Sequence, residues 1–172
     1  TDDEVLCLVV GRLVLEKGIV ELVEAAHRLR ADGSAARFVI VGPTDPDKPD
    51  ALDPAMRARA VAEGVVFTGS RDDMPECYAA ADVFVTASWR EGVPRSAMEA
   101  AAMGLPTVAS DIRGNRQVIA DGETGVLVPV REAGGFAEAI ARLVGDPDER
   151  MAMGAAASAR ARAEFDQQRV IE

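Results

Sequence analysis

At 172 residues, 48% hydrophobic and 28% charged, the chain has the composition of one globular domain; a domain of this length buries roughly 70% of its unfolded surface. A formal charge of −10 excludes a general nucleic-acid or anionic-membrane footprint. No apolar run approaches the ~20 residues of a membrane span and no signal-peptide pattern opens the chain, so a cytoplasmic domain is expected.

Short apolar runs alternate with helical patterns, as in βαβ units. The first run, Val5–Val10, enters a loop carrying Gly11, Arg12 and Lys17. Ile19, Leu22, Val23, Ala26 and Leu29 then keep the period of an amphipathic helix that Gly33 stops. Strands are expected at Arg37–Val41, Val65–Thr68, Val83–Thr86, Pro106–Ala109 and Gly125–Val128, each terse and apolar as buried parallel strands are. Helices are expected at Asp53–Ala62, Met74–Ala81, Arg95–Met103, Asn115–Ala120, Gly135–Val144 and Asp148–Ala163, with a further short one within Phe165–Glu172. The segment Pro43 to Pro54 holds four of the nine prolines and reads as a loop leading into a helix. The fold class is α/β: a Rossmann-like, doubly wound parallel six-stranded sheet with helices on both faces. Both chain ends read as cut.

The most informative stretch is Glu91 to Glu99. Gly92 allows close backbone approach to a ligand, and Pro94 has the fixed φ suited to a first helical turn. A helix start with free N–H groups attracts anions. From Ser96 to Met103 only Ser96 and Glu99 are neither small nor apolar, so a largely buried helix is expected, with the Glu99 charge needing a partner. That partner is Arg95 at i, i+4 or the hydroxyls of a ligand. Glu91, in the loop ahead, offers a second acceptor, and two acceptors flanking an anion-binding helix end suit a sugar nucleotide.

Arg12, Lys17, Arg90, Arg95, Arg113 and Arg116 fall in loops or at helix starts, and the expected fold converges them into local positive charge at one sheet edge. Ligands in open α/β sheets bind outside the carboxyl ends of the strands. Cys7 and Cys77 lack metal spacing and read as reduced, partly buried thiols. Asp45-Pro46-Asp47 reads as a solvated loop, so no metal is expected. His27 reads as solvated, and Trp89 either as lining the cleft or, on the simpler reading, as an apolar plug beneath its loop.

With these motifs in order along nearly the whole chain, the sequence resembles the retaining glycosyltransferases of family 4, also called group 1. The likeness rests on Gly11-Arg12-Leu13 with Glu16-Lys17-Gly18, Phe67-Thr68-Gly69, and Ala80 to Val85 before Trp89-Arg90-Glu91. It continues in the two glutamates Glu91 and Glu99, and in Asp121-Gly122-Glu123-Thr124-Gly125. It implies one half of a GT-B fold: residues 1–172 as the C-terminal domain for a nucleotide-sugar donor, with an N-terminal acceptor domain absent. It implies that Arg12 and Lys17, beside Gly11, contact the donor diphosphate, and that the backbone of Gly92, Val93, Pro94, Arg95 and Ser96 lies near the phosphates. Glu91 is implied to bind the transferred sugar and Glu99 the ribose.

The resemblance further implies front-face attack without a required metal or other cofactor, and inactivity of the domain alone. A second likeness, in Trp89 to Ser96 and Ser110 to Arg116, is to the branch that extends lipid-linked bacterial glycans such as capsule or exopolysaccharide, often from UDP-sugars. It places Arg113 and Arg116 toward the donor, the alternative being a pair of exposed loop arginines, and makes a glycan or lipid-linked acceptor the partner, with peripheral membrane association only through the absent domain. Gln117 stands where that family commonly has Glu. Two other readings remain: a sugar-nucleotide epimerase of the same architecture, for which no acid/base residues are evident, and a non-catalytic nucleotide-binding module.

Overall fold

The computed structural model describes residues 4–165. Six parallel strands form one sheet in the order β3-β2-β1-β4-β5-β6: β1 (Val5–Val10), β2 (Ala36–Val41), β3 (Val66–Gly69), β4 (Val83–Thr86), β5 (Thr107–Ser110) and β6 (Gly125–Val128). From β1 the chain winds outward through β2 and β3, then crosses back to place β4 on the other side of β1. Cys7 opposite Val83 and Leu8 opposite Phe84 register that central pair. The winding thus reverses between β1 and β4, where ligands bind in such sheets.

Helices α1 (Ile19–Ala31), α2 (Pro54–Ala62) and α6 (Ala133–Gly145) belong to one core, with Ile19, Leu22, Phe136, Ile140 and Leu143 at 1% exposure or less. Helices α3 (Met74–Ala79), α4 (Arg95–Ala102) and α5 (Arg113–Val118) belong to the other, around Phe84, Tyr78, Ala97, Ala100 and Val118. Each fully buried Leu, Ile or Phe contributes about 1.5–3 kcal/mol. The last helix, α7 (Pro147–Glu164), seats Ala157 and Ala161 against Ala101 of α4. The expected fold class is the one observed.

Element ends shift for identifiable reasons. Val65 sends its N–H to Ala60 O at the end of α2, so β3 begins at Val66. Pro106 has no N–H to give, and β5 begins at Thr107. Asp82 N bonds to Leu6 O, and α3 stops at Ala79 instead of running on to Ala81. Helix α5 starts at Arg113, two residues before the expected Asn115, and a 3-10 turn at Leu15–Lys17 was not anticipated. The short helix expected within Phe165–Glu172 lies outside the described residues beyond Phe165.

One expectation fails outright. Helix α4 is not largely buried: it packs Ala97, Ala100 and Ala101 inward and leaves Arg95, Glu99, Ala102 and Met103 exposed. A helix whose outward face includes alanine shows no polar stripe, so its sequence reads as buried all round.

Candidate functional site

The loops at the carboxyl ends of β1, β4 and β5 meet over the point where the winding reverses. After β1, Gly18 ends the 3-10 turn at φ +67°, and a Cβ there would lie 2.1 Å from Ala87 O. Only glycine lets this loop settle against the end of β4. The Lys17 stem runs over Gly11, where an added Cβ would stand 3.7 Å from Lys17 Cδ. This brings the Lys17 ammonium onto Glu91 Oε1. Ser88 Oγ donates to that same Oε1 at 2.9 Å, and Thr86 Oγ1 lies 3.4 Å from Ser88 Oγ. Lys17 and Glu91 side chains are each 22% exposed, reachable yet shielded from bulk water.

Around this pair the charges balance. Arg12 reaches Asp45 at 3.4 Å and Glu16 at 3.9 Å, and Arg90 reaches Glu16 at 3.4 Å. Asp111 holds Arg116 in a bidentate pair, which lowers the Asp111 carboxyl below its ordinary range through the guanidinium hydrogen bonds. The expected convergence into a positive edge is therefore corrected: Arg12, Lys17 and Arg90 do gather there, but each already faces a carboxylate. Arg95 and Arg113 are exposed on helix starts.

Helix α4 begins after Pro94 with no side chain capping it, and its first intrahelical bonds run from Ala97 and Met98 to Pro94 O. The N–H groups of Arg95 and Ser96 precede those bonds. Val93 is half exposed, and a Cβ at Gly92 would meet nothing within 4 Å. The tight constraint on this turn comes instead from Gly114, where a Cβ would lie 2.0 Å from Gly92 O and 2.7 Å from Glu91 O. Below it Asn115, fully buried, donates to Ser110 O at 2.8 Å.

Glu99 is exposed, and among the described residues it forms no ion pair with Arg95. Its Oε2 accepts a 2.8 Å hydrogen bond from the Tyr78 hydroxyl. Trp89 is more than an apolar plug: its backbone N–H donates to Glu16 O at 2.9 Å and its indole N–H to Glu21 Oε1 at 3.0 Å. The Arg131 guanidinium stands 3.9 Å from the centre of its ring. His27 is exposed with Nδ1 3.3 Å from Glu63. Sequence reasoning met Gly18 and Gly114 only as members of motifs, and it missed Ser88, Tyr78 and Glu21, which carry no local signal.

A groove of about 570 Å³, lined by Leu13, Asp45, Leu52, Arg57 and Val61, opens at the Asp45 side of the Arg12–Asp45 pair. Of the residues that carry the family resemblance it collects only Leu13. Among the described residues, no three His, Cys, Asp or Glu side chains are grouped to hold a metal.

The chain superposes on Anabaena HepE in complex with UDP at a TM-score of 0.88, with 24% identity, covering 98% of this chain and 48% of that one; at that identity the likeness shows the fold alone. Sucrose-phosphate synthase from Thermosynechococcus elongatus gives a TM-score of 0.86 at 32% identity, covering 99% of this chain and 43% of that one. In sequence, alpha-D-kanosaminyltransferase of Streptomyces kanamyceticus is 36% identical over 159 residues, which are 90% of this chain and 41% of that protein. The chain thus spans less than half the length of such relatives. The family model described as glycosyl transferases group 1 matches residues 4–146, and the chain belongs to that family.

Proposed function

We propose that this chain is the nucleotide-sugar donor domain of a retaining glycosyltransferase, and that the second domain of the full enzyme brings the acceptor. The observation that carries this reading is the Lys17–Glu91–Ser88 cluster, set where the winding reverses and directly ahead of the uncapped start of α4. Lys17, with Arg12 on the rim, meets the donor diphosphate. The N–H groups at the start of α4 face the same phosphates. Glu91 accepts from hydroxyls of the transferred sugar, and Glu99, along the same helix, from the ribose.

Glycosidic cleavage puts negative charge on the departing nucleoside diphosphate. A fixed ammonium there stabilises the transition state more than the ground state, because the charge grows as the bond breaks. The acceptor hydroxyl approaches from the face the nucleotide leaves, and the sugar keeps its anomeric configuration. Neither glutamate acts as a nucleophile; the protein positions reactants and stabilises separating charge. Without an acceptor domain the chain binds donor and turns over nothing. Arg113, at the start of α5, lies toward the donor in this reading. UDP-sugars are the favoured donors, no metal is required, and the full enzyme works in the cytoplasm on bacterial capsule, exopolysaccharide or lipid-linked glycan.

Thermal unfolding with UDP, GDP, ADP and their sugar conjugates tests this. Ligand at ~100 times Kd stabilises by about 2.7 kcal/mol, which for a domain of this size is roughly 5–10 °C. A shift with UDP and UDP-sugars alone supports the reading. No shift with any nucleotide removes its foundation.

A further inference from the structure

Tyr78 sits on α3 and is 3% exposed, its ring tilted 55° to Phe84 with centroids 6.0 Å apart. Only its hydroxyl leaves this apolar setting, to donate to Glu99 Oε2 across 21 residues of sequence. Burial first, then the bond to the Glu99 carboxylate, pushes the phenol's pKa upward, so at neutral pH it is a fixed donor. Glu99 by contrast stands on the exposed face of α4, beside a groove lined by Arg95, Met98, Arg162 and Phe165. A long exposed side chain ordinarily exchanges among rotamers, and ordering it on binding costs affinity.

We propose that Tyr78 is a positioning residue for nucleotide recognition: its hydroxyl fixes Oε2 of Glu99, so that the other carboxylate oxygen is preset to accept from the vicinal hydroxyls of the donor ribose. This rests on the reading of Glu99 as the ribose acceptor. Ring packing by Tyr78 serves the core. The hydroxyl is spare to that packing, and among the described residues its hydrogen-bond partner is the exposed carboxylate. A carboxylate accepts through both oxygens at once, so the bond to Tyr78 leaves capacity for a ligand.

The test titrates the 172-residue chain with UDP and with 2′,3′-dideoxyuridine diphosphate, as wild type, Tyr78→Phe, Glu99→Ala and the double variant. Tyr78→Phe keeps the ring and removes only the hydroxyl. It is expected to weaken UDP about three- to tenfold while leaving the dideoxy nucleotide within about twofold, and to add nothing in the Glu99→Ala background. Equal weakening of both nucleotides, no weakening of either, or full additivity with Glu99→Ala overturns the proposal. If Glu99→Ala itself leaves the preference for ribose intact, or wild type does not bind UDP, the reading of Glu99 falls and this proposal with it. Melting temperatures run alongside separate the roles, because a purely structural hydroxyl lowers stability without moving the ratio between the two nucleotides.

Discussion

Lys17 and Glu91, 74 residues apart in sequence, form one ion pair over the reversal point of the sheet. The two residues assigned to opposite ends of the donor are each other's partner. On the proposed reading, a diphosphate at Lys17 competes with Glu91 Oε1 for the ammonium, and Ser88, which donates to the same oxygen, is placed to keep it partnered. On the proposed roles of these residues, nucleotide binding and the availability of Glu91 for sugar are expected to be coupled through this pair.

The coupling makes Glu91→Ala informative. Removing the carboxylate leaves Lys17 without its competitor, so affinity for UDP is expected to hold or to rise a few-fold. Affinity for the UDP-sugar is expected to fall roughly tenfold or more, the scale of a lost hydrogen bond to a charged group. Lys17→Ala is expected to weaken both ligands. Calorimetric titration of the variants with UDP and UDP-glucose checks this, and equal loss of UDP in Glu91→Ala and Glu99→Ala contradicts the division of roles.

Gly114→Ala addresses the backbone contact that shapes the turn. A Cβ 2.0 Å from Gly92 O forces the start of α5 away from the Glu91–Gly92 peptide, and both partners are main chain with no rotamer to yield. Overpacking of this kind costs about 1–3 kcal/mol. Urea denaturation is expected to show that loss together with weakened UDP binding. A variant with unchanged midpoint and affinity shows that the turn tolerates the shift.

The sheet could be read from the sequence because strands buried on both faces are continuous apolar runs, and runs such as Val5–Val10 and Val83–Thr86 have no competing helical period. Their ends were less readable, since bonds such as Val65 N to Ala60 O are set by packing outside the strand. Lys17, Glu91 and Glu99 were singled out through their motifs. That Lys17 pairs with Glu91, and Glu99 with Tyr78, was not, because each contact joins elements that meet only in the folded chain. Tyr78 lay unremarked within the helix expected at Met74–Ala81, and nothing local announces where its hydroxyl points.

Cys7 lies fully buried on β1, and desolvation, with the nearby Asp82 charge adding to it, pushes its thiol from 9.0 up to about 12. Below pH 9 the thiol is protonated in both folded and unfolded chains and stability is indifferent to it. Between about pH 9 and 12 the unfolded chain loses this proton and the folded one retains it, so stability falls as pH rises, by at most about 1.4 kcal/mol per unit. Denaturation midpoints at pH 8 to 10.5 are expected to fall more steeply in wild type than in Cys7→Ala. Parallel slopes in the two proteins contradict the assignment. At pH 8 a thiol reagent is expected to label half-buried Cys77 in the native chain and Cys7 only after unfolding.

Trp89 ties the Glu91 loop to two other parts of the fold, through Glu21 on α1 and Arg131 after β6. Trp89→Phe retains an aromatic ring near Arg131 but removes the indole N–H, leaving Glu21, 9% exposed and with Oε2 unpartnered among the described residues, without its donor on Oε1. A buried carboxylate stripped of its partner costs about 1–3 kcal/mol, so the variant is expected to unfold at lower urea. Glu21→Gln in the same background replaces the stranded charge with a neutral amide and is expected to recover part of the loss. Additive losses in the double variant instead would mean that Glu21 and Trp89 stabilise the chain independently, and that the indole–carboxylate bond is not what ties the loop bearing Glu91 to α1.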